Sequence, residues 1–148
     1  MNATMLFTAF ALAAPGLKDK PASAADLIGL WEHEQSFSNG RDQTQKRDAP
    51  LRYEFRKDGT YVIYQGDKEM VRPRGFTFDS KAEPAKLDTQ TNAGKSTGPS
   101  TTFAIYKIEG DRLTICKTMP GNARPNAFDA PDGSPNYIMT FRRVKAMD

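Results

Sequence analysis

The chain is poor in the residues that staple or metallate a fold. It has one cysteine, Cys116, and one histidine, His33, in 148 residues. A lone cysteine excludes an intramolecular disulfide, and one residue of each kind excludes the usual His/Cys zinc site. No stretch reaches 18 apolar residues, which excludes a membrane-spanning helix. Like charges do not cluster: 21 Lys and Arg face 18 Asp and Glu, for a net charge of +3. Cations and acids interleave, as in Arg52, Glu54, Arg56, Lys57 and Asp58. A solvated mixed-charge surface is therefore expected, with no nucleic-acid partner. Residues 92–97 read NAGKST, but Thr89 stands where a phosphate-binding loop needs glycine, and no helical pattern follows. The acids Asp79, Glu83, Asp88, Asp129 and Asp132 are scattered and lack calcium-loop spacing. His33 has no evident Ser or Cys partner in the sequence. Without a nucleophile, metal or acid–base constellation, the expectation is a non-enzymatic protein with no cofactor.

What the chain does have is rings and breakers. Nine Phe, five Tyr and one Trp supply a core that the aliphatic residues alone would not. Eleven Gly and ten Pro argue against long helices. One domain of ordinary size is expected. Residues 5–14, MLFTAFALAA, form an apolar run, and Ala11-Leu12-Ala13 is a small-x-small cleavage pattern. The layout predicts a signal peptide over 1–13, a flexible linker over 14–25 and a folded domain over 26–148. The protein is thus expected to be exported, periplasmic or extracellular. No cysteine follows the apolar run to carry a lipid anchor.

After Ala25 the pattern changes to short alternating runs. Eight strands are expected, over 29–37, 51–56, 60–65, 69–78, 85–91, 101–108, 112–117 and 136–144. In the first, alternation puts Trp31, His33, Gln35 and Phe37 on one face. Turn signals follow: Asn39-Gly40, Asp58-Gly59, Gly66-Asp67 and Gly110-Asp111. Pro73 and Gly75 predict a bend or bulge in the fourth strand. Even spacing and tight turns suggest an all-β, eight-stranded up-and-down antiparallel barrel, which removes both sheet edges. On periodicity alone a two-sheet sandwich fits nearly as well.

Two features favour the barrel. Gly29-Leu30-Trp31 resembles the Gly-x-Trp signature of lipocalins. Arg142 and Arg143 resemble the lipocalin arginine that stacks across that tryptophan at the closed end. Strand parity puts Arg143 on the face of Tyr137, Met139 and Phe141. Three stretches carry a closer likeness: Leu27-x-Gly29-x-Trp31; Ile105-Tyr106-x-x-x-Gly110-Asp111-x-Leu113-x-x-Cys116; and Pro120-Gly121-x-x-Arg124-Pro125-x-x-Phe128. Together they resemble an uncharacterised lipocalin-like domain family common in planctomycete bacteria. The likeness covers residues 26–145, is best in the second half, and implies a barrel that is often exported. It implies no catalytic residues.

Tyr53, Phe55, Ile63, Phe76, Phe78, Phe103, Ile105, Met139 and Phe141 are the expected inward residues and candidate ligand contacts. Gly29, Trp31, Arg143 and Arg142 are structural candidates. The loop 119–135, stiffened by four prolines, is expected either to plug one barrel end through Arg124-Pro125 and Phe128 or to act as a lid or partner surface. Cys116 reads as a buried inert thiol, with an intermolecular or reactive thiol as the alternative. The expected function is a non-catalytic binding module for a small apolar or amphiphilic ligand. The alternative is an envelope interaction or inhibitor domain with a filled barrel, whose partner would be a protein.

Overall fold

A computed structural model describes residues 27–91 and 100–144. The expected signal peptide and linker, residues 92–99 and the last four residues lie outside the described residues. Among the described residues nine strands run in chain order: β1 (Gly29–Ser38), β2 (Arg41–Asp42), β3 (Leu51–Phe55), β4 (Thr60–Gln65), β5 (Lys68–Asp79), β6 (Ala85–Thr91), β7 (Ser100–Glu109), β8 (Arg112–Lys117) and β9 (Tyr137–Arg143). Each pairs antiparallel with its neighbour in the order β1-β3-β4-β5-β6-β7-β8-β9, and β9 pairs back onto β1. The result is a closed eight-stranded barrel, with β2 as a short addition to the end of β1.

Local chemistry sets the corners. Asn39 and Gly40 both have positive φ, 53° and 71°, the backbone that a tight two-residue hairpin between right-twisted strands requires. At the β3–β4 corner the Asp58 carboxylate accepts hydrogen bonds from the Thr60 amide at 3.0 Å and hydroxyl at 2.6 Å. The bulge expected near Pro73 is present: Tyr61 pairs with Arg74 but Ile63 with Val71, so β5 carries the extra residue there.

One end of the barrel is shut. Trp31 is fully buried, donates its indole N–H to the Leu27 carbonyl at 2.9 Å, and lies under the Arg143 guanidinium, 4.2 Å from the ring centroid. Arg143 therefore faces in, as parity indicated. Arg142 faces out and pairs with Glu34 at 2.9 Å. Gly29 (φ 141°) lies beneath the same arginine: a Cβ there would come within 3.3 Å of the guanidinium. Above Trp31 the core is aromatic. Phe141 meets Tyr53 edge-on at 4.9 Å, and Phe55 meets Phe76 at 5.1 Å.

Three expectations need correction. First, β1 shifts register between His33 and Gln35. Beyond the bulge Ser36 pairs with the buried Met139 and faces in, whereas Gln35 and Phe37 turn outward. Second, Phe103 and Ile105 are on the outer wall, because Ala104 pairs with the core residue Leu87 and therefore takes the inner face. Third, Arg124 and Phe128 of the loop 119–135 do not plug a barrel end. The loop lies as a strap along the outside of β6, β7 and β8. Arg124 holds Asp88 at 2.6 Å and the Ala104 carbonyl at 2.8 Å, over the Phe103 ring. Phe128 receives Lys107 on its ring at 4.9 Å, and Ala130 accepts the Gly40 amide at 2.8 Å. Beneath this strap Ile105 and Cys116 are buried although they point away from the barrel axis.

Candidate ligand cavity

Antiparallel order puts Ser38, Leu51, Gln65, Thr91, Lys117 and Tyr137 at the end opposite Trp31. Below this rim the barrel encloses a cavity of about 210 Å³. Its floor is apolar: Phe55 from β3, Leu87 from β6, Ala104 from β7, Ile115 from β8 and Met139 from β9. Tyr53, Tyr61 and Ile63 line one side. Thr89 and Thr91 on β6 and Thr102 on β7 add polar residues to the lining, the Thr91 hydroxyl donating to the Ser100 carbonyl at 3.4 Å, and Arg74 and Lys117 complete it. Among the described residues no carboxylate lines the cavity. A wider, more open hollow of about 400 Å³ lies at the rim between β1, β8, β9 and the strap, and Lys117 borders both spaces.

Strand alternation explains the position of Lys117. Leu113 and Ile115 on β8 pair with the buried Phe141 and Met139. Two residues on, Lys117 pairs with Tyr137 and takes the same inward face. Its ammonium lies 5.5 Å from the Tyr137 ring centroid and has no Asp or Glu within ion-pair distance among the described residues. Desolvation lowers its pKa below the ordinary lysine value. Burial raises the Tyr53 hydroxyl, with Tyr61 and Tyr137 adding to it. Burial also raises Tyr61, while the neighbouring Arg74 pulls the other way. The Tyr61 hydroxyl donates to the Gln90 carbonyl at 2.9 Å.

Of the nine inward candidates, Tyr53, Phe55, Ile63 and Met139 line the cavity. Phe76, Phe78 and Phe141 belong to the core rather than to the cavity lining. Phe103 and Ile105 lie outside. Sequence reasoning missed the polar lining: Arg74, Thr89, Thr91, Thr102 and Lys117. For Lys117 the signal was present, since it continues the Leu113–Ile115 alternation.

The lone histidine does have a partner. Across the β1 bulge, His33 Nε2 lies 2.8 Å from Ser36 Oγ, and its ring packs edge-on against Phe141 at 5.6 Å. Neither His33 nor Ser36 borders the cavity, so a bound molecule would not reach the pair. The contact instead closes the bulge, and the Ser36 amide and carbonyl anchor Thr44 and Gln43 of the following segment. Burial, then the charge of Arg47, lowers the His33 pKa, so the ring favours the neutral form. Cys116 is free and buried, and its thiol faces the Ala127 and Asp129 carbonyls of the strap at 3.5 and 3.8 Å. Burial pushes its pKa to about 11. Among the described residues no group of three His, Cys, Asp or Glu could hold a metal ion.

Compared with models of known families, with curated proteins and with solved structures, the chain matches none.

Proposed function

We propose that the protein is an exported, lipocalin-like barrel that acts as a non-catalytic binding module, holding a small amphiphilic molecule in the cavity beside Lys117. The observation that carries this reading is the hollow itself: a barrel domain with thirteen rings in its sequence still keeps about 210 Å³ open at one end. Interiors normally pack to near-crystal density, so space bordered by both apolar and polar side chains is space suited to a ligand. A binding rather than catalytic role is favoured because the Ser36–His33 pair lies away from the cavity lining.

Native mass spectrometry of the protein taken from its own cell envelope tests the reading. A mature chain starting near Ala14 and carrying a small-molecule adduct is expected. A ligand-free chain that co-purifies with another protein would favour the interaction-domain alternative. Recovery of the chain with Met1 from the cytoplasm would contradict export.

A further inference from the structure

We infer that the cavity takes a small organic carboxylate, with its anionic group at the Lys117 ammonium and its apolar body on the Phe55, Ile115 and Met139 floor. This deepens the binding reading and rests on it. Size sets the first limit. An apolar cavity of about 150 Å³ accepts benzene, and drug-sized molecules need roughly 300 Å³ or more. At about 210 Å³ the space suits one ring, or a short chain, with a small head group.

Sign sets the second limit. Among the described residues two cationic ones, Arg74 and Lys117, line the cavity and no carboxylate does. Both side chains are half-buried, and a partly desolvated charge gains from an opposite charge or from hydrogen-bond acceptors. Arg74 lies beside the Tyr61 hydroxyl. Lys117 has only the Tyr137 ring, at 5.5 Å, as a favourable partner among the described residues. A ring face answers an ammonium charge but accepts no ordinary hydrogen bond from its three donors. A carboxylate supplies the missing charge and two acceptor oxygens, and Thr102 among the lining residues brings a hydroxyl as a further donor. One compact monoanionic head leaves most of the volume to the body, which a phosphate with its extra oxygens would not.

Calorimetric titration of the full chain compares three one-ring probes: phenylacetate, 2-phenylethanol and 2-phenylethylamine. Phenylacetate is expected to bind at least ten-fold more tightly than the alcohol, and the amine more weakly than either. Lys117→Met should bring phenylacetate down to the level of the alcohol. Lys107→Met, which alters a lysine on the outer wall, should leave the ten-fold preference intact. Equal binding of phenylacetate and the alcohol to the unmodified protein would overturn the carboxylate assignment while leaving the binding reading in place. Tighter binding of phenyl phosphate than of phenylacetate would overturn it in favour of a phosphate. Failure of all probes to bind would refute the binding reading and this inference with it. The comparison among probes needs no variant, so a folding defect in Lys117→Met does not weaken the test.

Discussion

At the scale of single residues, two side chains, the buried Trp31 and the half-buried His33, do most to define the molecule. Trp31 fills the closed end with its indole satisfied by Leu27 and its face covered by Arg143. Trp31→Ala should lower stability by about 3–5 kcal/mol in urea denaturation, because the cavity left behind cannot collapse against a closed barrel wall. A loss under about 1 kcal/mol would mean that the indole is not core. His33 gives the fold a pH dependence. Its folded pKa lies below the ordinary value of 6.5 because burial and the charges of Arg47 and Lys117 outweigh Glu34 and the Gln35 backbone. The unfolded chain therefore binds the proton first. Stability should fall as pH drops through about 6.5 toward the folded pKa, and this contribution should level off below it. His33→Gln should flatten that part of the stability–pH curve measured by thermal unfolding. An unchanged curve would contradict the assignment.

Among the elements, the strap of residues 119–135 converts an outer strand face into a second buried surface. Arg124 is its main anchor, tied to Asp88, the Ala104 carbonyl and the Phe103 ring. Arg124→Met should cost about 1–3 kcal/mol, since Asp88 and the carbonyl lose their donor while partly buried. It should also speed the labelling of Cys116 by a thiol reagent. In the unmodified protein that labelling should be slow, as expected for a buried thiol with a pKa near 11. The strap also explains why one part of the barrel was hard to read from sequence. Alternation identified all eight barrel strands, and for β4, β6 and β8 it gave both ends. It then failed on β7, because hydrophobicity marks burial and not direction. Ile105 is as buried under the strap as Ala104 is inside the barrel, with relative exposures of 1 % and 2 %. On β1 the His33–Gln35 bulge reversed the expected faces of Ser36 and Phe37, and no residue there announces a bulge as Pro73 does on β5. The two-residue β2 is too short to leave a periodic signal.

For the whole molecule, the two barrel ends differ in kind. One is shut by an indole and a guanidinium; the other opens through threonines and a lysine into an apolar floor. The closed end was legible because it depends on two residues with a distinctive pairing, Trp31 and Arg143. The cavity was not, because it is a difference in packing between neighbouring layers of one wall, and strand parity says nothing about how fully a layer is filled. The central claim is that a ligand enters this particular space. Methyl-labelled NMR of the isoleucines during a phenylacetate titration tests it most directly, since Ile63 and Ile115 line the cavity while Ile105 and Ile138 face outward. The account predicts saturable shifts at Ile63 and Ile115 with Ile105 and Ile138 unmoved. Shifts confined to Ile105 and Ile138, or none at any of the four, would contradict it.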